Sequence, residues 1–396
     1  METYRSVNSL VSELSPEQPL HIFRPHAIKR AVRFFTRKFG GDVLYAIKTN
    51  PEPHVLKELW KHGIRHFDAA SLHEVELARG MFAKAEIHFM HTVKSRHAIR
   101  EAYFTHGVKD FSLDSLEELS KICKETKNAK DLGLYIRLAI PNTYAEINLS
   151  DKFGINLHDA VNLLKTARKK AARLGVCFHV GSQCMHPNAY RIAMNMAADV
   201  IKKAKVKIDM MDVGGGFPSI YPGMKPPALE DYMDAIHEEF KRMKLKGKVR
   251  LMCEPGRALV AESGSVLVRV DLRKDHNLYI NDGTYGSLFD AGYPGFIFPT
   301  RLRRPGEDHS ENSAPFSFYG PTCDTLDFMK GPFFLPEDTE EGDYIEIGQL
   351  GAYGRTFATR FNGFFPASEL AVVEDDPLMS MYDGADESEP LDVVAA

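Results

Sequence analysis

The chain has 396 residues, 44% hydrophobic and 26% charged, enough for two ordinary domains or one barrel with an appended unit. Its formal net charge is -4 and its basic residues form no stripe interleaved with aromatics, so nothing indicates a nucleic-acid partner. Five cysteines (Cys123, Cys177, Cys184, Cys253, Cys323) make neither a CxxC pair nor an even framework, which argues against a zinc site or a disulfide scaffold and fits a reducing compartment.

In chain order, residues 1–19 lack a charged-then-apolar leader pattern, and no apolar run approaches the length of a membrane span. A cytoplasmic protein with no membrane partner is expected. His21-Ile22-Phe23 reads as a strand. From Arg24 onward helical and strand-like runs alternate, with helices over 25–39 and 52–61 and the clearest one over 158–174. Strands are expected at 43–48, 64–68, 86–91, 109–113, 133–139, 176–182, 206–213 and 249–254. Eight β/α units within this span predict a closed (β/α)8 TIM-like barrel over 25–262, with an open doubly wound sheet as the alternative. After Ala261 the rhythm changes to short β runs at 265–272, 278–282, 296–302, 316–319, 344–347 and 370–373. These predict a second, mainly β domain, a sandwich or barrel, made of 263–375 together with 1–24. Residues 376–396 read as a loosely held acidic tail.

In a parallel barrel, functional groups stand where the strands end. The first strand ends in Lys48, the second in Asp68, and the fifth near Arg137. The sixth ends in His179-Val180-Gly181-Ser182, the seventh in Asp212-Val213-Gly214-Gly215-Gly216, and the eighth in Glu254-Pro255-Gly256-Arg257. Lys48 is either a snorkelling strand end or an amine whose pKa burial lowers, ready to attack an aldehyde. Gly214 to Gly216 are either a tight turn or a backbone cradle for an anion, and Arg257 and Ser182 favour the cradle. Glu254 either pairs with Arg257 or holds a pyridine nitrogen, and His179 is flat enough to stack on a ring. Together these residues match the needs of pyridoxal phosphate.

The motifs Tyr45-Ala46-Ile47-Lys48, Phe67-Asp68-Ala69-Ala70-Ser71, His179-Val180-Gly181-Ser182, Asp212 to Pro218 and Glu254-Pro255-Gly256-Arg257 resemble those of the barrel-type pyridoxal-phosphate decarboxylases. Asn281-Asp282-Gly283, Tyr285-Gly286-Ser287, Gly320-Pro321-Thr322-Cys323-Asp324, Gly351-Ala352-Tyr353 and Phe361-Asn362-Gly363-Phe364 extend the resemblance through the β domain. Within the family it is most similar to the ornithine decarboxylase group, including bacterial enzymes that also accept lysine.

The resemblance implies that Lys48 anchors the cofactor, His179 stacks on its ring and Glu254 holds the ring nitrogen. It assigns Ser182, Gly214, Gly215, Gly216, Gly256, Arg257 and Tyr353 to the phosphate, and places Asp68, Glu74 and Arg137 around the lysine and ring. Cys323 would manage protonation of the reacting carbon, Asp324 would meet the distal ammonium of the substrate, and Phe361 would line its pocket. In the family Cys323 and Asp324 come from the partner subunit, which implies a homodimer with shared sites. One departure stands out. Where ornithine decarboxylases carry a Tyr-Asp pair, this chain has Tyr293-Pro294, leaving Asp290 as the acid that would substitute. The expected activity is decarboxylation of a basic amino acid in polyamine biosynthesis, L-ornithine to putrescine or L-lysine to cadaverine. A diaminopimelate decarboxylase, disfavoured by Asp324, and an inactive regulatory homologue are the alternatives.

Overall fold

The computed structural model describes residues 2–149, 152–364 and 369–382. Apolar runs punctuated by capped helices close into a barrel. Its strands are β1 (Asp42–Ala46), β2 (His66–Ala69), β3 (Glu86–Phe89), β4 (Asp110–Leu113), β5 (Gly133–Arg137), β6 (Arg173–Cys177), β7 (Met210–Asp212) and β8 (Arg250–Cys253), every neighbour parallel and β8 pairing back onto β1. The open sheet is excluded. Helix starts follow local chemistry: Ser71, Ser95, Ser115 and Asn156 each accept a backbone N–H of the first turn, and Pro25 and Pro53 occupy first helical positions.

Alternation along the strands sorts the barrel interior into three layers. Arg250, Met252 and Glu254, two residues apart, mark the base, middle and top along β8 and just beyond it. The middle layer is apolar: Leu44, Met90, Tyr135, Cys177, Met210 and Met252 form one buried cluster. Charged and polar groups stand above and below it.

The second unit is a nine-stranded mixed sheet. Its long strand Gly264–Lys274 pairs antiparallel with Leu20–Phe23, Tyr344–Ile347 and Asn277–Ile280, so the chain start does join this sheet. A buried ion network of Arg24, Arg303, Glu346 and Ser265 fixes that crossing. No helix among the described residues is long and apolar enough to cross a membrane.

Several expectations need correction. The helix read over 158–174 ends at Arg168, and Arg173–Cys177 is already strand, because Arg173 to Cys177 ladder onto Gly133 to Arg137. The sixth strand stops at Cys177, so His179 stands in the loop beyond it. The seventh strand shrinks to Met210–Asp212. The strand Phe328–Pro336 escaped the reading because Gly331 and Pro332 interrupt its pattern; the ladder absorbs them at an irregularity between Phe316 and Phe318. The helix Val7–Leu14 was also missed. The acidic segment is not loosely held at its start: Met381 N–H donates to Glu262, and the buried Tyr382 hydroxyl donates to Ala258 O at 2.6 Å. The rest of the acidic segment, 383–396, lies outside the described residues.

Candidate active site

Lys48 does not sit on β1 itself but on the one-turn 3-10 helix Ile47–Thr49 that follows. That turn is pinned from several sides. The buried Tyr45 hydroxyl donates to Asn50 O, Asn50 Nδ2 donates to Gly351 O, and Tyr353 N–H donates to Thr49 O. Lys48 Nζ meets Asp68 Oδ2 at 3.0 Å, and 44% of the lysine side chain stays accessible. Desolvation lowers the lysine pKa, but Asp68, Tyr353 and Glu254 raise it by more, so it lies above the ordinary lysine range. This corrects the expectation that burial alone frees the amine: the surrounding acids hold it as ammonium, poised over the cleft.

The cleft is about 400 Å3, and Lys48, Asp68, Arg137, His179 and Glu254 all line it, with Met90, His91 and Phe153 among the remaining walls. His179 Nδ1 accepts the Gly181 N–H at 3.0 Å, which leaves the ring proton on Nε2. Burial, then Arg137 and Lys48, push its pKa well down, so the ring is neutral and flat. Burial, then Asp212 and Asp68, raise Glu254 well above the carboxylate range, and burial pushes Asp212 up to about 6. The pair therefore retains a proton that it can present to a basic ring nitrogen. Glu74 caps the turn instead, accepting the Ala70 N–H, and does not line the cleft.

Beside the cleft stand a glycine turn and a buried arginine. Gly214 has φ +69°, and a Cβ there would stand 2.0 Å from Phe178 O; at Gly215 one would stand 2.7 Å from Glu254 O and 3.0 Å from His179 Nε2. The turn is packed so closely that only glycine fits these positions. Arg257, 4% exposed, donates to Tyr221 Oη at 2.7 Å, but its contacts to Ser182 and Asp290 are both 3.4 Å and its Nε has no partner. The Tyr353 ring lies 4.9 Å from the guanidinium, and Gly256 packs against Thr49. A buried cation with an unmatched donor, next to a close-packed glycine turn, suits a phosphate; a lysine, a neutral imidazole and a proton-holding acid suit a pyridine aldehyde. The residues fit such a cofactor.

The expected substrate residues gather elsewhere. Tyr285 donates to Asp324 at 2.7 Å and its ring packs on Phe361 at 4.8 Å, while the exposed Cys323 contacts Asn362 at 3.4 Å. This cluster is absent from the cleft lining of its own chain. Asp290 is not a free acid in place of the missing one: it is buried against Arg257, and its pKa is raised by burial. Tyr293 is 85% exposed, stacked on Phe289. Asp212 and Tyr285 stand inside motifs the sequence displays but carry no role of their own in that reading, and Tyr221 is not singled out there. Asp212 ended a strand exactly as the chosen residues did and could have been found; Tyr221 lies in an irregular loop and gave no signal.

Residues 26–261 match the family model described as pyridoxal-dependent decarboxylase, pyridoxal binding domain. The lysine/ornithine decarboxylase of Selenomonas ruminantium is 31% identical over 346 residues, covering 85% of this chain and 84% of that protein. Antizyme inhibitor 2 of Xenopus laevis is 30% identical, covering 85% and 77%. Among solved structures, the arginine decarboxylase of Paramecium bursaria Chlorella virus bound to agmatine superposes with a TM-score of 0.80 at 25% identity, covering 93% of this chain and 98% of that one.

Proposed function

Since the chain belongs to the pyridoxal-dependent decarboxylases, the family of ornithine, lysine and arginine decarboxylases, we propose that it removes the α-carboxylate of L-ornithine, giving putrescine, or of L-lysine, giving cadaverine, in polyamine biosynthesis. The observation that supports this most is the convergence of Lys48, Asp68, Arg137, His179 and Glu254 on one cleft beside Arg257 and the glycine turn.

Bound pyridoxal phosphate supplies an electron sink for the pair left behind when the carboxylate departs. Lys48 would hold its aldehyde carbon, with Asp68 keeping the amine in place and taking its charge. Glu254, backed by Asp212, would keep a proton on the ring nitrogen. His179 would cover one ring face and exclude water from it. Arg257, Ser182, Tyr353, Gly256 and the turn of Gly214 to Gly216 would bind the phosphate, the Gly214 N–H itself being held by Asp212 Oδ1 at 2.9 Å, and Tyr221 would hold Arg257.

Cys323 and Asp324 would act in the cleft of a second copy, in a homodimer with two composite sites. The exposure of Cys323, the half-buried position of Asp324 beside it, and the absence of both from their own chain's cleft support this. Asp324 would meet the distal ammonium of the substrate and Cys323 would return a proton to the reacting carbon; Phe361 and Tyr293 would lie alongside the substrate chain. With Asp290 committed to Arg257, Asp324 carries the recognition of the second ammonium in the proposed site.

The similarity to an antizyme inhibitor favours a second reading, a catalytically silent regulator on the same scaffold. Incubation with the cofactor separates the two. The enzyme reading expects a yellow protein whose absorbance is lost in Lys48→Ala; a wild-type protein that stays colourless would favour the regulator.

A further inference from the structure

At the base of the barrel, opposite the cleft, β2 and β3 bring three ligand-type side chains together. Parallel pairing sets His66 beside Glu86, and His88 follows two residues later on the same face of β3. His66 Nδ1 is 3.2 Å from His88 Nε2 and 3.5 Å from Glu86 Oε2, and one donor atom from each of the three lies within 4.8 Å of the others. The edge of a tetrahedron of nitrogens about 2.05 Å from zinc is ~3.3 Å. The spacing already matches.

We propose that His66, His88 and Glu86 form a zinc site at the base of the barrel, its fourth position filled by water. Two imidazoles and a carboxylate are a borderline donor set that suits zinc better than calcium or magnesium. The 3.2 Å contact is a hydrogen bond between the two rings, so one nitrogen is already unprotonated and zinc would displace the single shared proton.

Acids that could form an outer shell stand next to both imidazoles. His88 Nδ1 lies 3.2 Å from Asp110 without an aligned hydrogen bond to it, and His66 Nε2 lies 3.7 Å from Asp42. Arg173 holds Asp110 at 2.7 Å and Arg250 holds Asp42 at 2.8 Å. Arg250 is only within 4.0 Å of Glu86, and the glutamate side chain is 59% exposed and free to turn toward an ion. A cavity of about 870 Å3 at this end is lined by the neighbouring Asp42, Arg173 and Arg250 but by none of the three ligands, so an ion would enter past the exposed Glu86.

The bound ion would tie β2 to β3 at the end of the barrel remote from the chemistry. The test uses the full-length, cofactor-loaded protein stripped of metal, titrated with Zn2+ by calorimetry and with Co2+ by visible absorption. One zinc per chain and a tetrahedral cobalt spectrum are expected, with a raised melting temperature on zinc addition. His66→Gln and Glu86→Gln should each weaken binding by about tenfold or more, since even outer-shell losses cost 10–100-fold. Glu86 is exposed, so its variant keeps the test sharp if substitutions of the buried His88 fail to fold. Cys323→Ser should leave zinc binding intact. Absence of stoichiometric binding, binding indifferent to both His66→Gln and Glu86→Gln, or binding lost with Cys323→Ser would each overturn the assignment.

Discussion

Among the residues, the decisive pair is Glu254 and Asp212. Both carboxyls have pKa values raised by burial, so the cofactor-free folded chain holds a proton that the unfolded chain gives up. A raised folded pKa stabilises fully below the unfolded value, and that contribution fades as pH rises through the folded value. The stability of the cofactor-free protein should therefore fall as pH climbs from about 4 to 6 and beyond. Glu254→Gln should flatten this slope, by at most about 1.4 kcal/mol per pH unit, in urea unfolding at a series of pH values. An unchanged slope would show that the pair holds no extra proton. The sequence marked Glu254 because it ended a strand, yet gave no hint that Asp212 shares its proton. Lys48 teaches the same lesson: its place was legible, but its ionisation depends on Asp68, Tyr353 and Glu254, brought in from distant positions.

At the level of elements, the barrel strands were legible because each is a short apolar run between turn residues, whereas their ends were not. Helix and strand compete over residues 169–175, and only the ladder with β5 decides where β6 begins. The docked segment ending at Tyr382 had no readable periodicity, yet it grips the short helix Arg257–Val260 through Ala258 and the following turn through Glu262. Tyr382 is 3% exposed, so Tyr382→Ala should cost about 3–5 kcal/mol of unfolding free energy. Because the same helix carries Arg257, cofactor affinity measured by titration should fall too. Lost stability with unchanged affinity would mean that the strap supports the fold without positioning Arg257.

Across the whole molecule, the division of labour is the main point. In the proposed site the barrel supplies most of the cofactor residues, with Tyr353 added from the other unit, which displays Tyr285, Cys323, Asp324 and Phe361 on a cluster away from its own cleft. The sequence carried every one of these residues as motifs, but no local pattern reveals which chain's cleft they serve. Mixing Lys48→Ala with Cys323→Ala should restore activity to about a quarter of wild type, because random pairing makes half the dimers mixed and each mixed dimer has one intact site. No recovery, once mixed dimers are shown by mass to have formed, would rule out the shared site.

The most direct measurement is carbon dioxide release by the cofactor-loaded protein from L-ornithine and L-lysine, set against D-ornithine, arginine and diaminopimelate, with Lys48→Ala as control. Release from L-ornithine or L-lysine that disappears in Lys48→Ala is the predicted result. Release from diaminopimelate alone, or from none of these amino acids by a protein that binds the cofactor, would contradict it.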